Sequence, residues 1–88
     1  MKISFTKDFN KELSTLKDPK LARLIHEIIN MVEKAKSPWE INSIKKIKGH
    51  KKAYRIRKGT LRLGIFIEKD EVLFSSFDNR KDIYKNFP

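Results

Sequence analysis

Residues 53–77 read AYRIRKGTLRLGIFIEKDEVLFSSF, and their reading decides the fold. Apolar and polar side chains alternate through most of this stretch, which is the period of a half-buried strand. Lys58-Gly59 and Lys69-Asp70 interrupt the alternation and carry turn chemistry. The stretch therefore predicts three strands, over 53–57, 60–68 and 71–77, joined by two tight turns.

Register follows from the turns, because directly opposed residues share a face. A turn at Lys58-Gly59 opposes Arg57 with Thr60 and Arg55 with Arg62. Arg55, Arg57 and Arg62 then share one face. Tyr54, Ile56, Leu61, Leu63, Ile65 and Ile67 share the other, which must be covered. A turn at Lys69-Asp70 opposes Ile67 with Val72 and Ile65 with Phe74 on the covered face. On the open face it opposes Phe66 with Leu73, Gly64 with Ser75 and Arg62 with Phe77.

Upstream, 2–5 alternates and predicts a short strand with Ile3 and Phe5 on one face. Thr6 is a suitable N-cap for a helix whose apolar side is Phe9, Leu13 and Leu16. Asp18 and Pro19 open a second helix as N-cap and first helical residue. Its buried stripe is Leu21, Leu24, Ile25, Ile28, Val32 and Ala35, with His26 outside it. The two form a helical hairpin laid on the sheet. Ser37-Pro38-Trp39-Glu40 resembles a capping box and predicts a short helical turn. Trp39 is expected as a core plug beside Ile41, Ile44 and Ile47; stacking on a base is its alternative. Residues 45–52 read as a basic connector turning at Gly49. Asn79 and Asp82 cap a short C-terminal helix over 80–87. In it Ile83 and Phe87 anchor to the core while Arg80 and Tyr84 share another side. The fold class is α+β: N-terminal strand, helical hairpin, three-stranded antiparallel meander and C-terminal helix, in one domain over 1–88.

Charge sharpens the open face. The chain has 88 residues and a formal net charge of +10. Residues 45–62 hold nine Lys or Arg and no Asp or Glu. Such clustering favours a polyanionic partner, nucleic acid foremost. There is no cysteine, so disulfides, thiol catalysis and Cys-ligated metals are excluded. His26 and His50 are the two histidines, without metal-ligand spacing, and neither a metal nor a cofactor is expected. No signal peptide or bilayer-spanning run is evident, which points to a cytoplasmic protein with no membrane partner. A cleft floored by Arg55, Arg57, Arg62 and Gly64, with Phe66 and Phe77 as apolar walls, suits a phosphodiester and its adjacent bases. The plainer alternative is a solvated sheet face.

Two segments, IKKIKGHKKAYRIRKGTLRLGIFIE at 44–68 and NRKDIYKNFP at 79–88, resemble the RelE/ParE toxin superfamily of type II toxin–antitoxin systems. The resemblance covers the whole chain and implies the RelE-like microbial RNase fold. For RelE-like members it implies a metal-independent endoribonuclease that cuts mRNA in the ribosomal A site by attack of the 2′-OH. The implied partners are a cognate antitoxin, the ribosome and mRNA. By position, Arg62, Arg80 and Tyr84 correspond to the catalytic set, and Arg55 and Arg57 to the strand basics that hold substrate. Independently of the resemblance, the charge of the basic connector 45–52, with Lys48, Lys51 and Lys52 foremost, predicts a grip on ribosomal RNA backbone without base readout. Asp78 and Asn79 depart from the pattern, since many relatives carry a basic residue or histidine there. Two other readings stay open: a ParE-like inhibitor of DNA gyrase, and a non-catalytic RNA- or ribosome-binding domain.

Overall fold

The computed structural model describes residues 1–78 and 87–88. The elements follow one another as β1 (Lys2–Phe5), α1 (Lys7–Thr15), α2 (Pro19–Lys34), a 3-10 turn (Pro38–Glu40), β2 (Ile44–Lys46), β3 (Ala53–Lys58), β4 (Leu61–Glu68) and β5 (Glu71–Asp78). One sheet takes the order β1-β5-β4-β3-β2. β1 runs parallel to β5 and the other pairs are antiparallel. Both helices cover one face, and the N-terminal strand, helical hairpin and antiparallel meander stand as expected.

Local chemistry sets the helix starts. The Thr6 hydroxyl accepts from the Phe9 N–H at 3.1 Å and donates to the Ser75 carbonyl at 3.2 Å, so it starts α1 and ties it to β5. Asp18 accepts from the N–H groups of Lys20 and Leu21, both at 3.1 Å, with Pro19 next to it at the first helical position. From α2, Leu21, Ile25, Ile28, Ile29 and Val32 are buried. They meet Ile56, Leu61, Leu63, Ile65, Val72 and Phe74 from the sheet, and Phe9 from α1. Burial of these side chains supplies the main driving force.

Four features differ from the expected layout. First, Ile44–Lys46 is a fifth strand at the sheet edge, inside the stretch read as connector. Second, the β3–β4 turn sits one residue later, at Gly59-Thr60, with Gly59 at φ +60°. A two-residue hairpin loop favours glycine at its first central position because that residue must be left-handed. The pairing moves by two: Arg57 opposes Arg62, and Arg55 opposes Gly64. Face assignments survive, since a shift of two preserves them. Third, a β-bulge between Gly64 and Ile65 changes the far end of the β4–β5 pair. Ile67–Val72, Phe66–Leu73 and Ile65–Phe74 pair as expected, but Gly64 meets Ser76, Leu63 meets Phe77 and Arg62 meets Asp78. An extra residue flips the side chains beyond it. Fourth, Trp39 is 79% exposed, and Ile41, 3% exposed, fills the core position instead. Glu40 reaches back to the Lys36 N–H at 2.9 Å, while Ser37 makes no side-chain cap.

The expected C-terminal helix, with Asn79, Arg80, Asp82, Ile83 and Tyr84, lies outside the described residues except for Phe87. Phe87 is not helical. It is 3% exposed and packs in a second apolar cluster with Ala53, Ile47 and Phe66, apart from the main core. Ala53 and Phe66 share the arginine face, so Phe87 docks on the side of the sheet opposite the helices.

Candidate nucleic-acid interface

Three cross-strand rows build the open face. One runs Lys45, Arg55, Gly64, Ser76 across β2, β3, β4 and β5. The next, toward the Gly59-Thr60 turn, runs Arg57, Arg62, Asp78. On the other side lies Ala53, Phe66, Leu73, Ser4. Strands stand ~4.8 Å apart and alternate residues ~6.8 Å along a strand. Lys45, Arg55, Arg57 and Arg62 are therefore a compact block of four cations in fixed register.

Among the described residues, the block has a carboxylate in register on its own face only at one end. Among the described residues the ion pairs are Lys52–Glu68 at 2.7 Å and Lys58–Glu27 at 3.0 Å, and neither involves the block. The carboxylate nearest in register is Asp78, opposite Arg62. Arg57 and Arg62 are like charges directly opposed, an arrangement that costs stability. Arg62 donates through Nη1 to the carbonyls of Gly59 at 2.7 Å and Leu61 at 3.1 Å. Those bonds hold the guanidinium against the hairpin end. Its Nε and Nη2 hydrogens form the edge that can grip a phosphate with two parallel bonds.

Gly64 is not an open floor. A Cβ built there would meet the Phe87 ring at 2.6 Å, and the Phe66 and Phe87 rings lie 5.0 Å apart at 57°. Ile47, Ala53, Phe66 and Phe87 thus form an apolar ridge across the face. The space that glycine leaves is taken by the protein's own aromatic ring, not held for a ligand. The ridge separates the arginine block from a second hollow of about 650 Å³ edged by Lys2, Ser4, Lys52, Glu68 and Leu73.

The other expected contact residues are placed as follows. Arg55 and Arg57 stand in the block with Arg62. Lys48 and Lys51 are exposed in the β2–β3 connector, as is His50. Lys52 is drawn to Glu68 beyond the ridge. Phe77, expected as a wall of the open cleft, packs toward the helices, edge-on to Phe9 at 5.4 Å and 79°. The bulge is the cause. Arg80 and Tyr84 lie outside the described residues. Lys45, read from the sequence as part of a general basic grip over 45–52, instead joins the arginine block through the edge strand, which the sequence reading did not foresee. Its signal was the IKKI pattern at 44–47, with Ile44 toward the main core and Ile47 in the ridge cluster. An edge strand that buries one residue on each face does not look like simple alternation.

No protein-family model matches the chain. A toxin of Methanocaldococcus jannaschii, RelE3, is 37% identical over 89 residues, covering the whole of both chains. The toxin in the RelB–RelE antitoxin–toxin complex from Methanococcus jannaschii superposes with a TM-score of 0.74 at 35% identity, over 97% of this chain and 99% of that one. The isolated RelE toxin of E. coli shares the fold, with a TM-score of 0.65 over 96% of this chain and 90% of that one, at 18% identity. Full-length identity at this level, carried on the same fold, shows that the chain belongs to the RelE-like toxin superfamily.

Proposed function

We propose that this protein is the toxin of a type II toxin–antitoxin system and a ribosome-dependent endoribonuclease acting on mRNA. The observation that carries the proposal is the opposed pair Arg57–Arg62, extended by Arg55 and Lys45 on one face. Such a block suits the extra charge of a phosphorane. In the proposed step the 2′-oxygen attacks the adjacent phosphorus and the bond to the 5′-oxygen breaks. The 2′ proton leaves to a base and the 5′-oxygen is protonated, giving a 2′,3′-cyclic phosphate and a 5′-hydroxyl. Arg62, with Arg57 and Arg55 beside it, stabilises the charge that develops on the phosphate oxygens. Arg80 and Tyr84 come from the resemblance as the remaining catalytic groups, Tyr84 to move a proton or to orient the base. The ribosome would supply the alignment that a site with few acid–base groups does not. The partner is a cognate antitoxin of acidic character, complementing a chain of net charge +10. The relative from Methanococcus jannaschii was solved with RelB.

A second reading, RNA or ribosome binding without cutting, draws on Asp78. It stands opposite Arg62, where a carboxylate opposes an incoming phosphate. Mapping mRNA 5′ ends after induction separates the two. New ends within translated frames, lost in Arg62→Ala and kept in Lys34→Ala, support the nuclease. Ribosome association without new ends supports the second reading. Intact mRNA with inhibited supercoiling would select the gyrase inhibitor instead.

A further inference from the structure

On the RNA-binding reading, the open face restricts where a single strand could leave the arginine pair. On the row of Arg57 and Arg62, the β5 side carries Asp78. On the next row, the β4 position is Gly64, covered by the Phe87 ring. Farther along, the ridge of Ile47, Ala53, Phe66 and Phe87 closes the face. Among the described residues one direction stays cationic: from Arg57–Arg62 to the half-buried Arg55, and from Arg55 outward to the exposed Lys45 on the edge strand. Lys45 is exposed, and no ion pair engages it among the described residues. The chain at Ser43, left-handed at φ +62°, turns away beside Arg57, whose N–H meets the Ser43 carbonyl at 3.3 Å. The edge strand thus contributes its cation to the second row and not to the first.

We propose that Lys45 and Arg55 form a second phosphate site, one nucleotide step from the phosphate held by Arg57 and Arg62, and that the RNA strand leaves the sheet across β2 there. This rests on the RNA-binding part of the proposed function. It does not need the cleavage step. Lys45 acts as a point charge on the backbone and reads no base, so it adds affinity without sequence preference. Lys46 supplies an internal control. It is the next residue, equally exposed and equally charged, but strand alternation points it off this face.

The test measures affinity for a short fluorescein-labelled single-stranded RNA across a salt series, for wild type, Lys45→Ala, Lys46→Ala and Arg55→Ala. Each phosphate neutralised on a single strand contributes about 0.7 to the slope of log affinity against log salt. Lys45→Ala and Arg55→Ala are each expected to flatten the slope, by up to about 0.7 for the one phosphate they hold together, and to weaken binding severalfold at low salt. Lys46→Ala keeps the wild-type slope. Equal losses in Lys45→Ala and Lys46→Ala would mean diffuse attraction and would overturn the site. So would a wild-type slope in Lys45→Ala. Wild-type protein that binds no RNA at any salt would sink the site and the RNA reading together. The expected slopes with no cleavage on ribosomes would leave the site standing and remove only the nuclease step.

Discussion

The Phe87 ring stands where a side chain at position 64 would stand: a Cβ on Gly64 would lie 2.6 Å from two of its atoms. An aromatic ring cannot yield as a flexible side-chain tip does. Gly64→Ala is therefore expected to destabilise the fold by about 1–3 kcal/mol, the range for overpacking. In a Phe87→Ala background the same substitution should cost almost nothing. Urea unfolding of the two single variants, the double variant and wild type measures the coupling. Strict additivity would show that the ring does not sit there.

Arg57 and Arg62 oppose each other across β3 and β4 at a cost to stability. Replacing Arg57 with threonine removes the repulsion and inserts a good strand residue. Arg57→Thr should raise stability by about 0.5 kcal/mol. It should also slow ribosomal mRNA cleavage about tenfold or more, the loss expected for one charged hydrogen bond. Thermal unfolding beside a cleavage assay checks both signs. A variant that is less stable and fully active would contradict both.

Phe77 packs on Phe9 and not on the open face. Phe77→Ala should cost about 2 kcal/mol or more of stability by opening the core. Its folded form should bind RNA as wild type does. Weakened RNA binding at unchanged stability would restore the unbulged register.

Trp39 is the single tryptophan and is 79% exposed. Trp39→Ala should change stability by no more than about 0.5 kcal/mol. Its fluorescence should already be that of a hydrated indole and should move little on unfolding. A large red shift with denaturant would place it inside.

How far the sequence reached depended on what each residue answers to locally. Thr6, Asp18 and the α2 stripe were legible because caps and helical periodicity are set within a few residues. The pairing of Ile65 with Phe74 and Ile67 with Val72 was legible because Lys69-Asp70 fixed it. Faces survived the misplaced turn at Gly59 because a shift of two leaves them unchanged. The bulge after Gly64 was not legible. No residue there announces it, and it moved Phe77 from the open face to the core. β2 was hidden because three residues on an edge, flanked by lysines, carry too little pattern. Trp39 was misplaced because Ile41 competes for the same core position, and sequence alone gives no way to rank them. That Arg55, Arg57 and Arg62 share a face was legible; which of them oppose, and their neighbours Lys45, Asp78 and Phe87, needed the sheet.

The most direct measurement uses purified ribosomes programmed with a defined mRNA, incubated with wild-type protein, Arg62→Ala or Lys34→Ala. The expected result is cutting by wild type and Lys34→Ala, with 5′-hydroxyl and 2′,3′-cyclic phosphate ends, and loss of cutting in Arg62→Ala. Cutting that persists in Arg62→Ala, or ends that carry a 5′-phosphate, would contradict the arginine face as the site of 2′-OH attack.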